Sequence, residues 1–156
     1  MKISDILQDE FVSTKLQGKT KEEVLNSVID LLKGSKKIKD LDKVREAIFE
    51  REKIMSTGVG KGFAIPHGKT DAVSDIVAAF AVTSEPVDFQ SLDGEPVRLL
   101  FLLVGRDNMV GPHIKLLSRI SRLMNKDEFR KKLLTAKSSS EIVQFFKDEE
   151  ISYFDI

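Results

Sequence analysis

Two long apolar stretches dominate the hydrophobic pattern of the chain. Residues 76–82 and 97–104 run for seven and eight positions, with Arg98 as their one charged member. Their length and their content of β-branched residues favour strands buried on both faces, which requires helices above and below the sheet. Asp93-Gly94 lies between the two stretches and is typical of a hairpin turn. The pattern therefore predicts at least one antiparallel pair of strands.

Helical spacing precedes these strands. A capping box begins at Thr20, and the helix that follows it is predicted to end at Gly34. Asp40 is the predicted N-cap of a second helix that runs to about Arg51 or Glu52. The residues predicted to face the core are Val24, Leu25, Val28, Leu31 and Leu32 in the first helix and Val44, Ala47 and Ile48 in the second.

Two further helices are predicted after the strands. Pro112 suits the first turn of a helix that continues to Met124, and Ser138 begins a second capping box ahead of apolar residues at helical spacing. No internal repeat or linker divides the sequence. The order of elements predicts an α/β fold, a three-layer single domain over residues 1–156 in which a mixed β-sheet is flanked by helices on both faces.

Composition narrows the function before any motif is considered. The 156 residues are 41% hydrophobic, and 25 basic residues balance 25 acidic ones, so no net field favours nucleic acid or an anionic membrane. The absence of cysteine excludes disulfides and thiolate chemistry. No apolar run approaches the roughly 20 residues of a membrane helix, and the N-terminus lacks the apolar region of a signal peptide. We expect a cytoplasmic protein with no direct membrane insertion.

One of the two histidines has an informative setting. His67 follows three alternate glycines, at positions 58, 60 and 62, and a short apolar run that ends in Pro66. Glycine permits positive φ and close backbone approach, whereas Pro66 biases Ile65 towards an extended conformation. Gly68 leaves the next peptide N–H unobstructed. A lone histidine is more often structural, but this setting is typical of a nucleophile or an acid/base group that is held still.

The segment from Arg51 to Thr70, REKIMSTGVGKGFAIPHGKT, resembles the active-site segment of EIIA proteins of the fructose/mannitol type. These proteins are phosphocarriers of the bacterial phosphoenolpyruvate-dependent phosphotransferase system, and the nitrogen-regulatory EIIA proteins are a branch of them. Val59 and Phe63 stand where isoleucine is more usual, and both are conservative in volume and polarity. The likeness covers nearly the whole chain and continues through residues 87–89, 92–105 and 113–124.

The resemblance implies catalytic roles for three residues. His67 would be the phosphorylated nucleophile, attacking through Nε2 while Nδ1–H bonds a backbone carbonyl, although the sequence itself does not choose between the two nitrogens. Arg51 would lie beside His67 and bind phosphate oxygens, and His113 would join them from the first turn of a helix. The residues alone leave alternatives open. Arg51 also suits a helix-end arginine that binds terminal carbonyls, and His113 a histidine at the edge of an apolar face.

Other patterns carry less weight. The glycines at 58, 60 and 62 lack the spacing of a dinucleotide-binding loop, and the two histidines show no metal-ligand spacing, so we expect neither cofactor nor metal. Lys69 is expected to be solvated, although it could add positive potential near a phosphate. Asp71 and Asp75 are expected in loops. The solvent-exposed face of the helix after Pro112 is expected to carry Lys115, Arg119 and Arg122.

Two functions follow from the resemblance. The first is a phosphotransferase: His67 accepts a phosphoryl group from the phosphohistidine of the carrier HPr and passes it to an EIIB domain, and so to a sugar. The alternative is a nitrogen-regulatory module whose protein partners depend on phosphorylation of the same histidine. A hydrolase that uses His67 and His113 as a base and acid pair lacks an accompanying nucleophile or metal. For docking, the candidates for an apolar rim around His67 are Phe63, Ile65, Met109 and Val110. Each of them could equally belong to the core, and for Ile65 the core is the expected place.

Overall fold

Two long antiparallel strands, β5 (Val77–Val87) and β6 (Val97–Gly105), form the centre of the protein, which a computed structural model describes over residues 1–154. Asp155 and Ile156, the last two residues of the predicted domain, lie outside the described residues. The other elements in chain order are α1 (Ile3–Ile6), β1 (Val12–Leu16), α2 (Lys21–Asp30), α3 (Leu41–Ile54), β2 (Gly58–Gly60), β3 (Phe63–Ala64), β4 (His67–Lys69), α4 (Val110–Met124), α5 (Asp127–Leu134) and α6 (Ser139–Phe154).

The sheet combines parallel and antiparallel pairs. Its strand order is β1-β5-β6-β3-β2, and β4 also pairs with β6. β5 and β6 are antiparallel, whereas β1 runs parallel to β5, and β3 and β4 run parallel to β6. The loop between β5 and β6 contains the predicted turn, in which the Gly94 N–H donates to the Ser91 carbonyl at 3.0 Å. The mixed sheet predicted from the apolar stretches is confirmed.

Alternate residues of the central strands point to opposite faces of the sheet. On one face, Phe80 and Phe101 meet Phe146 of α6 edge to face, with ring centroids 5.1 and 5.4 Å away, and α1, α4 and α5 complete this layer. On the other face, Ala79 and Ala81 pack with α2 and α3. Because each face is covered by its own buried cluster, the prediction of helices on both sides is also confirmed.

The capping residues act as predicted, but two helix ends differ. The Thr20 hydroxyl accepts from the Glu23 N–H at 3.1 Å. α2 ends at Asp30 and not at Gly34, because the next three N–H groups bond to carbonyls three residues back and so tighten the chain into a turn. α3 continues to Ile54, beyond its predicted end, so Arg51 and Glu52 lie within its last turn.

Five elements, α1, β1, α5 and the short strands β2 and β4, were not predicted. β1 is an edge strand with a polar centre, Ser13 to Lys15, so its sequence lacks a run of apolar residues. α5 buries only Phe129 and Leu133, and a helix of eight residues depends on tertiary packing for its stability. Among the described residues membrane-spanning helices are absent, since none reaches the length and hydropathy that a bilayer requires.

Candidate active site

The segment that carries His67 is an interrupted strand. β3 pairs Ala64 with Leu100 of β6, and β4 resumes the pairing with His67 opposite Leu103. Between them, Pro66 has no N–H to donate to a ladder, but its carbonyl accepts from the Leu103 N–H at 3.0 Å. The extended, buried approach to His67 predicted from the sequence is therefore present, and it anchors the histidine to the central strand.

The imidazole of His67 is held through one nitrogen. Nδ1 lies 2.8 Å from the carbonyl oxygen of Ile65, and because a carbonyl only accepts, Nδ1 carries the proton of the neutral ring. The lone pair therefore lies on Nε2, as the resemblance implied. Burial lowers the pKa of His67, and the Arg51 and Lys69 cations act in the same direction, against the opposing effects of the Ile65 carbonyl and Glu52. The ring is thus biased towards the neutral, nucleophilic form.

His113 lies beside it in the first turns of α4. The backbone N–H of His113 donates to the Met109 carbonyl at 3.0 Å, and the residue is 3% exposed. The two imidazole centroids are 5.7 Å apart with an angle of 53° between the rings. Neither ring nitrogen of His113 has a hydrogen-bond partner among residues 1–154. Burial, followed by repulsion from His67 and Lys69, lowers the pKa of His113 to about 4.

Arg51 makes the helix-end contact and also lies in the cleft beside the histidines. Its Nη1 donates to the carbonyl of Met55 at 2.7 Å, which is the helix-end contact. The same side chain lines the cleft that contains both histidines. The helix-end contact therefore does not remove Arg51 from the site, since a guanidinium has further N–H groups to offer an anion.

A glycine lets α3 approach the nucleophile. A Cβ added to Gly68 would lie 3.2 Å from Cδ1 of Ile48 and 3.3 Å from the Ala47 carbonyl oxygen. The absence of a side chain here allows α3 to pack against β4, and Arg51 follows Ala47 by one helical turn. Gly68 thus has a packing role that was not predicted from the sequence, which indicated only the freedom of the next peptide group.

These residues face an open cleft of about 710 Å³ between α3, β4 and α4. Its charged members are three cations and two carboxylates, so the surroundings of His67 are less apolar than predicted. Lys69 is exposed, as expected, yet it also lines the cleft. The lining residues other than the histidines are Ala47, Glu50, Arg51, Lys53, Ile54, Gly68, Lys69, Asp107, Ile114 and Leu117.

The predicted apolar rim was partly wrong. Phe63 and Ile65 are 0% and 5% exposed, because the extended segment points them into the layer formed by α4 and α6. Met109 packs against the same core, whereas Val110 is exposed. The exposed apolar residues that line the cleft are instead Ile54, 80% exposed, and Ile114, 59% exposed. The last turn of α3 and the first turns of α4 supply them.

Arg119 was predicted on the solvent-exposed face of its helix but is only partly exposed, whereas Lys115 and Arg122 are exposed as expected. The guanidinium of Arg119 lies 4.3 Å from the ring centre of Phe154 and 3.7 Å from the carboxylate of Glu150. Asp71 and Asp75 lie in loops, as predicted. Within the described part of the chain, no group of three or more histidine, cysteine or acidic residues is arranged to hold a metal ion.

One group of buried polar residues next to the site was not predicted from the sequence. Glu52 is 7% exposed, and its carboxylate accepts from both the N–H and the hydroxyl of Thr57. Lys21 of α2 completes the group with an ion pair to Glu52 at 2.9 Å. Glutamate is usually exposed in a helix, so no sequence pattern marks Glu52 as buried. The one available signal was that Glu52 directly follows Arg51.

The arrangement suits transfer of an anionic group to His67. A neutral imidazole offers Nε2, a guanidinium is available for oxygens of the group, and a second neutral imidazole lies within reach as a hydrogen-bond donor. The low pKa of His113 keeps it uncharged at neutral pH, so it does not repel Arg51 or the cationic Lys69.

Comparisons with known proteins identify the family of the chain. Residues 5–149 match the family described as phosphoenolpyruvate-dependent sugar phosphotransferase system, EIIA 2. The fructose-specific EIIA component of Haloferax volcanii is 37% identical over 140 residues, which cover 90% of this chain and 91% of that protein. The fructose-specific EIIABC component of Bacillus subtilis is 35% identical over 96% of this chain, which spans 24% of the length of that relative.

A solved structure shows the same fold. The crystal structure of the nitrogen regulatory protein IIA-Ntr from Neisseria meningitidis superposes with a TM-score of 0.86 at 33% identity, covering 92% of this chain and 98% of that one. The family match spans most of the chain, and the relatives share the fold as well as the sequence. The chain therefore belongs to the EIIA type 2 family of the phosphoenolpyruvate-dependent sugar phosphotransferase system.

Proposed function

We propose that the protein is a histidine phosphocarrier, a single EIIA domain over residues 1–156 that accepts a phosphoryl group on Nε2 of His67 from phosphorylated HPr and passes it to an EIIB domain. The observation that carries this proposal is the tethering of Nδ1 to the Ile65 carbonyl, which leaves the lone pair of Nε2 for nucleophilic attack. Arg51 and His113 would be catalytic residues that stabilise the phosphoryl oxygens.

Each half of the transfer exchanges one phosphorus–nitrogen bond for another bond to phosphorus. Nε2 of His67 attacks phosphorus as the bond to the donor imidazole breaks, and the donor nitrogen keeps that electron pair. The guanidinium of Arg51 and a ring N–H of His113 would bind the oxygens on which negative charge accumulates. In the second half, an acceptor nucleophile on EIIB attacks the same phosphorus and His67 regains the lone pair of Nε2.

The EIIB partner is supported by the fused relative. The fructose-specific protein of Bacillus subtilis has A, B and C components in its name, and this chain matches a part of it. We infer that an EIIB domain is also the acceptor for this chain. The sugar would be recognised by a component that acts after this chain. The cleft of this chain presents a nucleophile and cations, which suit a phosphoryl group and not a sugar.

The test is a two-step transfer assay. The chain is incubated with phosphoenolpyruvate, enzyme I and HPr, and tandem mass spectrometry locates the phosphoryl group, which we expect on His67. A fructose-type EIIB is then added after HPr is removed, and we expect the group to leave this chain and appear on EIIB. A modification at any residue other than His67, or no uptake at all, would contradict the proposal.

The regulatory alternative has its own support. The similar structure from Neisseria meningitidis is a nitrogen regulatory protein at 33% identity, and a nitrogen regulatory protein of Bradyrhizobium diazoefficiens is 34% identical over 91% of this chain. The same phosphorylation of His67 would then change which proteins bind. The second step of the assay separates the two functions, because a regulatory module takes up the group from HPr and retains it when EIIB is supplied.

A further inference from the structure

A buried ion pair joins α2 to the last turn of α3. The carboxylate of Glu52 receives the Thr57 N–H at 2.8 Å, the Thr57 hydroxyl at 2.6 Å and the Lys21 ammonium at 2.9 Å. The side chain of Glu52 is 5% exposed and that of Lys21 is 17% exposed. Removing two charges from water is costly, and such a pair adds specificity of position more reliably than stability. Its position in this chain is therefore informative.

Thr57 extends this network to the nucleophile. The carbonyl of Thr57 accepts from the Ile65 N–H at 3.1 Å, and the carbonyl of Ile65 accepts from Nδ1 of His67 at 2.8 Å. Hydrogen bonds therefore connect Glu52 to His67 through two backbone residues without a gap. The imidazole can turn only by breaking its hydrogen bond to the Ile65 carbonyl or by moving with Ile65, and the Ile65 N–H is held by Thr57.

The local strands are too slight to fix this geometry alone. β2 and β3 are three and two residues long, and their register shifts between Gly58 and Gly60. Glycine adds conformational freedom to this segment, with Gly60 and Gly62 at φ of +131° and +84°. A hairpin this short is marginal without further support. β6 supports β3 from one side, and the clamp of Glu52 on Thr57 supports the edge strand β2 at the base of the hairpin.

We propose that Glu52 is a positioning residue for the phosphoryl transfer, which holds the His67 ring through Thr57 and Ile65 so that Nε2 faces the cleft. Arg51 is positioned by the same clamp, because its acceptor, the Met55 carbonyl, lies in the short segment between Glu52 and Thr57. The role in transfer rests on the proposed function, whereas the hold on the imidazole does not. The negative charge of Glu52 also raises the pKa of His67 and so partly offsets burial.

The test uses the full chain, labelled with ¹⁵N in its histidines. Glu52→Gln keeps the shape and one acceptor oxygen but removes the charge. We expect the ¹⁵N spectrum of His67 to change from a fixed Nδ1–H tautomer to an average of both tautomers. We also expect the ring to titrate at lower pH, because the Lys21 charge is then uncompensated. Transfer from phosphorylated HPr should slow by about tenfold to a hundredfold, the cost typical of a small misplacement of reacting groups.

Glu150 offers a matched control. It is a buried carboxylate, 1% exposed, that accepts from the backbone N–H groups of Ile3 and Ser4 in the layer on the other face of the sheet. Glu150→Gln also removes a buried charge, and the partners of Glu150 in the described part of the chain, the Ile3 and Ser4 N–H groups and Arg119, do not lead to His67. We expect it to lower the melting temperature and leave the tautomer, titration and transfer rate of His67 as in the wild type.

Thr57 provides a second pair of variants. Thr57→Val removes the hydroxyl that donates to Glu52 and should shift the His67 spectrum in the same direction as Glu52→Gln, by a smaller amount. Thr57→Ser restores the hydroxyl and should restore the wild-type spectrum. This pair decides the matter if Glu52→Gln does not fold.

Two results would overturn the proposal: an unchanged His67 spectrum and titration in Glu52→Gln or Thr57→Val, or an equal change in Glu150→Gln. Failure of the proposed function is recognised separately. If the wild-type chain takes up no phosphoryl group, its spectrum can still show the fixed tautomer of His67, and the spectrum of Glu52→Gln can still show that this tautomer is lost.

Discussion

The two histidines of the cleft lie 5.7 Å apart, yet the chain holds them in opposite ways. His67 is partly exposed, and one of its nitrogens is bonded to the Ile65 carbonyl. His113 is buried, and neither of its nitrogens has a partner among the described residues. A buried polar group without a partner costs free energy, so its retention suggests that the partner is a ligand. The difference agrees with the proposed roles, in which Nε2 of His67 attacks phosphorus and a ring N–H of His113 donates a hydrogen bond to the phosphoryl oxygens.

Replacing each histidine in turn should have the largest effect on phosphoryl uptake and should separate the two roles. We expect His67→Ala to take up no phosphoryl group, because the chain then lacks the nucleophile. His113→Ala should still take up one group per chain, but more slowly, because only a hydrogen-bond donor is removed. Intact-mass measurements over time, with phosphoenolpyruvate, enzyme I and HPr, give both stoichiometry and rate.

The opposite pattern, with uptake by His67→Ala and none by His113→Ala, would reverse the assigned roles. Circular dichroism of both variants provides the control for folding, since His113 is buried and its replacement by alanine leaves a cavity.

The fold was more predictable from the sequence than the site. The apolar stretches at 76–82 and 97–104 predicted the central strands because burial on both faces requires such sequences. The edge strand β1 escaped prediction because it needs only one neighbour and tolerates a polar centre. Likewise Phe63 was proposed for the rim and is buried, since the sequence shows an extended segment but does not show which side of it faces the core, whereas the preference of Ile65 for the core is confirmed.

At the site, the segment around His67 identified the candidate nucleophile, and the resemblance supplied Arg51 and His113 as its companions. The clamp by Glu52 could not have been predicted in the same way. It depends on Lys21 of α2 and Thr57 meeting a helix end in three dimensions, and nothing in the local sequence distinguishes Glu52 from exposed glutamates such as Glu46.

Arg51 lines the same cleft as the two histidines, and its removal should have the next largest effect. We expect Arg51→Ala to slow phosphoryl transfer by about 10²–10³-fold, the decrease typical of removing one electrostatic donor to a developing charge. The free energy of unfolding should change by only about 1 kcal/mol, because the hydrogen bond that the substitution removes, from Arg51 to the Met55 carbonyl, is exposed to solvent. Rapid-quench kinetics and thermal unfolding measure the two quantities separately.

Arg122→Ala is the matched control, since Arg122 is an exposed arginine on α4 that does not line the cleft. A normal transfer rate for Arg51→Ala, or a main effect on melting temperature, would restrict Arg51 to its helix-end role.

A change at Gly105 should disturb His113 without touching His67 directly. A Cβ at Gly105 would lie 3.0 Å from Nδ1 of His113, so Gly105→Ala must displace that ring. We expect transfer to slow by about tenfold, less than when Arg51 is removed, because the donor is shifted but still present. Histidine ¹⁵N spectra should show changed His113 nitrogens and a retained Nδ1–H on His67. Gly111→Ala is the control, since no atom lies within 4 Å of a Cβ added there, and a similar response from both variants would argue against a specific effect on His113.

The smallest effect concerns the stability of the wild-type fold in acid. The pKa of His113 falls from 6.5 to about 4 in the folded protein. Below pH 6.5 the unfolded chain binds a proton that the folded chain does not, so the free energy of unfolding decreases as the pH falls through this window and levels off below about 4. Because solvent in the open cleft screens the charge, the decrease should be on the order of 1 kcal/mol. The lowered pKa of His67 adds a decrease of the same sign.

Urea unfolding of the wild type and of His113→Gln at a series of pH values between 7 and 4 isolates this contribution, because the carboxylates common to both proteins cancel in the difference. We expect the free energy of unfolding to fall more for the wild type than for the variant as the pH is lowered from 7 to 4. Near neutral pH the difference between the two proteins should be constant. Parallel curves would mean that His113 becomes protonated within the fold as easily as in water. Its nitrogens would then be accessible to solvent, and the contrast between a nucleophilic His67 and a buried, hydrogen-bond-donating His113 would lose its electrostatic basis.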